Sequence, residues 1–259
     1  MGKMIDAHIH LDQYQDEFIE EVTKDTPMLQ GLISVSNNLE SCKRNLVLSR
    51  DFPNVFSAFG YHPEQSLPTE SEESELFAWM NLHLQDMIAI GEVGLPYYLR
   101  KKEKITMSEY EIYIALLERF VQKACKWGKP IILHAVHEDA EVACDLLEKY
   151  SIQSAHFHWF KGDRKTINRM IDNKYYISIT PDVTYEEKTQ NLVQAYPLEL
   201  MMVETDGPWP FEGKFSGKVT NPIMMTDSIE MIAHIKNISF EEVSSKLLEN
   251  TITFYRLNQ

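Results

Sequence analysis

Eight short apolar runs, separated by longer amphipathic stretches, limit what this chain can fold into more than any other feature. They read "MIDAHI" from Met4, "GLISVS" from Gly31, "VFSAFG" from Val55 and "MIAIGEVG" from Met87. The second four are "PIILHA" from Pro130, "AHFHWF" from Ala155, "YYISIT" from Tyr175 and "LMMVETD" from Leu200. Runs of this length flanked by turn residues are strands, and the stretches between them carry helical spacing. The clearest helices are "SEYEIYIALLERFVQKACKWG", which stops at a glycine as helices commonly do, and "EDAEVACDLLEKY". Eight strands alternating with helices in 259 residues predict a (β/α)8 TIM-type barrel, with room for distortion. A doubly wound sheet alternates too, but its GxGxxG turn after the first strand is missing. "NPIMMTDSIEMIAHIKN" and "SFEEVSSKLLENTITFYRL" read as extra C-terminal helices that cover the barrel, and residues 1–259 read as one domain.

Composition narrows the setting. A hydrophobic fraction of 44% supplies a sizeable core, yet no run approaches the roughly 18 apolar residues of a membrane helix. The opening residues lack a basic segment followed by an apolar run, so no secretory signal is expected, and Asp6 stands where a myristoylation motif needs Ser or Thr. Cys42, Cys125 and Cys144 form no paired framework, which fits a reducing compartment. The expectation is a soluble cytoplasmic protein with no membrane partner. A net charge of −14 argues against general affinity for nucleic acid. It leaves nucleic-acid chemistry open, because bound divalent cations reverse the sign of a carboxylate-rich site.

In such barrels the chemistry sits at the C-terminal ends of the strands. The first strand ends with His8 and His10, the third runs into His62, and the fourth ends at Glu92. The fifth ends at His134, the sixth carries His156 and His158, and the eighth ends with Glu204 and Asp206. Alternate residues of a strand point the same way, so His8 and His10 share one space, as do His156 and His158 if their strand reaches that far. Aiming these groups into one small volume is unfavourable by an order of several kcal/mol unless something compensates them. A divalent cation does so, and imidazole with carboxylate suits zinc, manganese, iron or cobalt. A lone histidine at a strand end is ordinarily structural, and His156 reads as packing or as support for a ligand. His83 and His234 fall in helical stretches and read as surface residues.

"DAHIHLD", "GYHPE", "GEVGL", "KPIILHA", "HWFKG", "ETDGPWP" and "ENTITFYRL" together resemble, in order, the motifs of TatD-like metal-dependent deoxyribonucleases of the amidohydrolase superfamily. The resemblance runs from residue 5 to the C-terminus and implies two divalent ions, zinc, manganese or magnesium. It assigns His8, His10, Glu92 and Asp206 to one ion and Glu92, His134 and His158 to the other. A carboxylate can bridge ions about 3.5–4 Å apart, and the ions acidify a water for attack. Asp206 would also orient or deprotonate that water, making Asp206 and Glu92 the catalytic carboxylates. His62, Trp159 and Lys161 would meet the substrate, with His62 at the scissile phosphate or an extra metal. The implied substrate is a DNA end or a small phosphodiester.

Departures fall around the ligands. Pro96 stands where similar proteins have aspartate, Val136 where they carry an arginine, and Asn221 where they have glutamate. Trp159 and Lys161 alter the family's "HCFSG". The basic cluster "YYLRKKEK", Tyr97 to Lys104, reads either as a solvated loop or as a replacement for the lost phosphate contacts. A carbonyl substrate (amide or lactone) and a metal-binding scaffold without turnover stand as alternatives to phosphodiester hydrolysis.

Overall fold

The computed structural model describes residues 2–24 and 26–257. Its strands are β1 (Met4–Ile9), β2 (Leu29–Ser34), β3 (Val55–Phe59), β4 (Met87–Gly94), β5 (Ile131–His134), β6 (Ala155–Phe157), β7 (Tyr176–Ile179) and β8 (Met201–Val203). All neighbouring pairs are parallel and follow chain order from β1 to β8. The helices of the first half are α1 (Asp16–Lys24), α2 (Leu39–Asp51), α3 (Glu70–Leu82), α4 (Tyr97–Lys101) and α5 (Met107–Trp127). Those of the second are α6 (Glu138–Lys149), α7 (Arg164–Asp172), α8 (Glu187–Ala195), α9 (Met225–Lys236) and α10 (Phe240–Tyr255). This is the (β/α)8 barrel expected from the alternation, with α9 and α10 as the closing pair. Among the described residues no helix is long and apolar enough to cross a membrane.

Local chemistry accounts for the helix ends. α3 and α5 each begin at a capping box, Thr69 with Glu72 and Thr106 with Glu109, so the acidic "ESEESE" is a capped helix start. α5 ends where Gly128 takes the left-handed conformation at φ 63°. The core divides in two. A large cluster, including Ile9, Leu32, Phe59, Ile90, Leu133 and Phe157, packs strands against helices. A smaller one, Ile5, Ala7, Ala58, Ala89, Ile132 and Met202, fills the barrel, and Phe254 and Tyr255 of α10 join it. The barrel is therefore a packed interior, closed at one end by α10 and left polar at the other.

Just beyond β8 the chain meets β1. Asp206 N–H donates to the His8 carbonyl (2.9 Å), and His10 N–H donates to the Gly207 carbonyl (2.7 Å). Beneath them the buried Asp6 carboxylate accepts from Thr205 N–H (3.0 Å), the Thr205 hydroxyl (2.5 Å) and His8 N–H (3.2 Å). Burial pushes the Asp6 carboxyl up to about 7 despite these donors. Asp6 thus fastens together the two segments that carry His8, His10 and Asp206. Asp6→Ala strands these donors in the interior, each worth about 1–3 kcal/mol. The variant should unfold at lower denaturant than wild type by about 3 kcal/mol, read by equilibrium urea titration.

Candidate metal centre

Two irregularities in the sheet aim the expected ligands. In β1, Ile5 and Ala7 face the barrel interior while Ile9 packs outside it. Strict alternation from Ile5 and Ala7 would turn His8 outward. The register of β1 against β2 shifts between Asp6 and Ile9, and this bulge brings His8 and His10 into the interior after Ala7. In β4 the register shifts between Ile90 and Val93, both outward residues, and Glu92 between them points inward. Gly94 lets β4 lie against β5 at His134, where an added Cβ would collide with the His134 backbone. On β5 and β8 the plain alternation suffices: His134 follows Ile132, and Glu204 and Asp206 follow Met202. β6 ends at Phe157, so His158 lies one residue beyond it, above the inward-facing His156.

The other five expected ligands gather around Glu92, which is fully buried. Its Oε2 lies 3.3 Å from His8 Nε2 and 3.3 Å from His10 Nε2. Asp206 Oδ1 closes the group at 3.3 Å from His8 Nε2 and 3.6 Å from His10 Nε2. Ligand atoms held at about 2.0–2.1 Å around a tetrahedral ion stand about 3.3–3.4 Å apart, so this set fits a metal ion. The other Glu92 oxygen, Oε1, lies 2.6 Å from His158 Nε2, 2.9 Å from His134 Nδ1 and 3.5 Å from His62 Nε2. One carboxylate thus offers an oxygen to each of two groups of imidazoles. His8 Nε2 and Glu92 Oε2 are buried without a hydrogen-bond partner, the condition a cation relieves.

Charge tells the same story. Burial alone would raise the Glu92 carboxyl, yet His158, His62 and His8 hold it well below its usual range. Burial also opposes a charge on His8, but Glu92 and Asp206 lift its imidazole to about 9. His158 is raised too, against the same burial, chiefly by Glu92. The His8 and His158 rings stack 3.8 Å apart at 7°, so two protons there repel each other across a ring contact. A divalent cation satisfies the carboxylates and leaves both rings neutral. His62 differs: burial lowers it to about 3. Its Nδ1 accepts from Glu64 N–H (3.1 Å), so the neutral ring presents Nε2–H to the site as a donor.

Above the cluster opens a cavity of about 960 Å³. Lys102, Lys104 and Lys161 line it together with Tyr98, Trp159 and Trp209. Lys161 Nζ sits 4.7 Å over the Trp159 ring and 3.9 Å from Asp182. Trp159 spends its indole N–H on Asp182 (2.7 Å), so the faces and edges of its ring are what it can offer a ligand. Of the basic cluster, Lys102 and Lys104 reach the cavity, whereas Lys101 lies over the Tyr97 ring and Arg100 turns away to pair with Asp139 (2.7 Å). Sequence reading missed Glu64, two residues after His62 in "GYHPE". It accepts from the N–H groups of Tyr98 (2.7 Å) and Leu99 (2.8 Å) at the start of α4 and lies 3.6 Å from His134 Nε2. His83 is half-buried beside Asp86, whereas His234 is exposed as expected.

The family profile described as TatD related DNase matches residues 5–256. The chain belongs to the TatD family. A Haemophilus influenzae protein named as an uncharacterized metal-dependent hydrolase is 41% identical to it over 255 residues, which is 98% of this chain and 100% of that protein. The crystal structure of YJJV, a TatD homolog from Escherichia coli, has a TM-score of 0.85 at 22% identity and covers 98% of both chains. That of an uncharacterized amidohydrolase from Saccharomyces cerevisiae has a TM-score of 0.77 at 14% identity, over 98% of this chain and 100% of that one. The fold is thus the TatD barrel, shared with amidohydrolase-type proteins, and the chain is a metal-dependent hydrolase of that family.

The departures from the TatD motifs fall into two groups. Val136 lines the cavity, and its neighbour His137 donates from its backbone to the Lys161 carbonyl (2.5 Å), so the aliphatic residue and the lysine lie on adjoining loops. Pro96 is a buried N-cap of α4. Asn221 accepts from Ile223 N–H at a short turn and does not line the cavity. Val136 and Lys161 therefore belong to the mouth of this TatD site, and Asn221 to its surroundings.

Proposed function

We propose that the protein is a divalent-metal-dependent phosphodiesterase acting on DNA ends or small nucleotide esters. The observation that carries this reading is the lining of the mouth: three lysines and three aromatic rings, in a chain of net charge −14. Cationic side chains concentrated in one cavity of an acidic protein select an anionic substrate, and Tyr98 and Trp209, 39% and 58% exposed, offer faces for bases. The family description points to the same chemistry.

On this reading His8, His10, Glu92 and Asp206 hold one ion, and Glu92, His134 and His158 hold a second. Such ions supply Lewis acidity that makes a water nucleophilic near neutral pH and offsets charge on the phosphoryl oxygens. Asp206 lines the cavity and, although burial opposes it, His8 beside it keeps its carboxyl below the usual value. It is therefore ionised and able to orient the water and take its proton. His62 donates Nε2–H to a phosphoryl oxygen, and Lys161 supplies the positive charge that Val136 does not.

A manganese-loaded sample offered a single-stranded oligonucleotide, bis(p-nitrophenyl) phosphate and a neutral lactone tests the reading. The two phosphodiesters should turn over and the lactone should not. Lys161→Ala should raise KM for the oligonucleotide about 10-fold, the worth of one charge-assisted contact. Lactone hydrolysis without phosphodiester hydrolysis would replace the reading with a carbonyl hydrolase. No turnover of any of them, with metal fully bound, would leave a metal-binding scaffold.

A further inference from the structure

Behind His158 runs a continuous line of buried polar side chains that the chemistry above does not use. The Tyr255 hydroxyl, on α10, is 2.8 Å from His156 Nδ1, and His156 Nε2 is 2.6 Å from Ser178 Oγ. The Ser178 hydroxyl donates to Glu204 Oε2 (2.5 Å), and Glu204 Oε1 accepts from Trp159 N–H (2.7 Å). Tyr255, His156, Ser178 and Glu204 are all buried.

The hydrogens have only one consistent arrangement. A carboxylate can only accept, so Ser178 gives its single hydrogen to Glu204 and must itself accept from His156 Nε2–H. His156 Nδ1, on the other side of the ring, faces the Tyr255 hydroxyl and accepts from it. The other neighbour of the Tyr255 hydroxyl, the Ala7 carbonyl, is farther away at 3.3 Å. The line is therefore directional from α10 to Glu204.

At its far end Glu204 Oε1 lies 3.8 Å from His158 Nδ1, the ring nitrogen that faces away from Glu92. That nitrogen is buried and has no hydrogen-bond partner. The competing reading makes Glu204 a direct ligand, since His8, His158 and Glu204 each offer an atom within 4.8 Å of the others. His158, however, turns Nε2 to Glu92 Oε1 (2.6 Å) and Nδ1 to Glu204, so Glu204 lies on the far side of the ring from the Glu92 group, with its oxygens accepting from the Ser178 hydroxyl and a backbone N–H. The same N–H belongs to Trp159, whose φ of 37° lies in the left-handed region.

We propose that Glu204 is a positioning residue of the metal centre: it fixes the Trp159 backbone and stands behind His158 as the acceptor for Nδ1–H once that ring ligates, while Ser178, His156 and Tyr255 hold Glu204. The proposal rests on the two-ion reading of the centre. A carboxylate opposite the free nitrogen of a ligating imidazole fixes its tautomer and ring direction, and losing such a partner weakens metal affinity about 10–100-fold.

Manganese titrations of the metal-free protein, followed by electron paramagnetic resonance, test it in wild type, Glu204→Gln, Ser178→Ala and Tyr255→Phe, with thermal unfolding of each metal-free protein alongside. Wild type should bind two ions; a wild type that binds none overturns the metal-centre reading itself and is recognised before any variant is compared. Glu204→Gln and Ser178→Ala should weaken one of the two ions about 10–100-fold and leave the other unchanged. Tyr255→Phe, which removes only a hydroxyl, should weaken the same ion to a smaller degree. Unfolding that shifts while both affinities stay at wild-type values would reduce the line to a structural one and overturn the proposal. Equal weakening of both ions would overturn it as well. If Glu204→Gln does not fold, Ser178→Ala and Tyr255→Phe decide the question alone.

Discussion

Glu92→Gln is expected to empty both halves of the metal centre, the largest change in metal content that any single substitution here should produce. The reason is the division of labour between its oxygens. Oε2 faces His8 and His10 at 3.3 Å each, and Oε1 faces His158 at 2.6 Å and His134 at 2.9 Å. Glutamine keeps one oxygen and replaces the other with an amide NH2, which only donates. Whichever way the amide turns, one group of imidazoles loses its oxygen from residue 92 and the other keeps only a neutral one, with Asp206 the carboxylate left beside His8 and His10. Affinity should fall at both positions by more than the about 10–100-fold that follows loss of an outer partner. Elemental analysis after gel filtration should show two ions per chain in wild type and almost none in the variant. Replacing His134 or His158 should empty chiefly one position. A Glu92→Gln protein that retained both ions and normal turnover would sink the bridging role.

The parts of this site that could be read in the sequence are those where alternation continues undisturbed into the active end of a strand. His134 follows Ile132, and Asp206 follows Met202 by four residues, so period-two reading points both inward. His8 and His10 were readable as a pair, but not their direction. Counting from Ile5 and Ala7 places them on the outer face, and only the bulge before Ile9 reverses that. A bulge inserts one residue, and the stretch Asp6–Ile9 has no glycine to mark it, which hides it from pattern reading. Glu64 itself, and the role of Glu204 though not its place at the strand end, were obscured for another reason. Each acts through partners distant in sequence, Glu64 through the N-terminus of α4 and Glu204 through Ser178 and Trp159, and such contacts have no fixed spacing. The lysines of "YYLRKKEK" were equally consistent with solvent and with the cavity. The decision lay in α4, whose capping by Glu64 sets the direction of the segment that follows. The closure at Asp6 was invisible because its donors come from Thr205, at the other end of the barrel sequence.

Asp206→Asn separates holding a metal from doing chemistry. The residue sits where the chain leaves β8 with φ 50°, its N–H bonded to the His8 carbonyl (2.9 Å) and its carbonyl accepting from Trp209 N–H (3.0 Å). Those backbone bonds do not involve the carboxylate, so the substitution should leave the loop and the fold in place. Its Oδ1 lies 3.3 Å from His8 Nε2, and the side chain borders the cavity where substrate enters. Asparagine can still offer an oxygen to a cation at that position, more weakly than a carboxylate. It cannot take a proton, so whatever water is placed there loses its base. Turnover should fall by roughly 10²–10⁴-fold, the usual consequence of removing a general base. The ion between Glu92, His134 and His158 should remain, because none of those contacts passes through Asp206. If the carboxylate served only the loop, kcat would stay within a few-fold of wild type. Measuring kcat together with metal content decides between these roles: near-normal kcat with both ions present would exclude Asp206 as the base, a large fall with both ions present places the proton transfer on it, and a fall that tracks loss of the ion beside His8 and His10 makes Asp206 a ligand only.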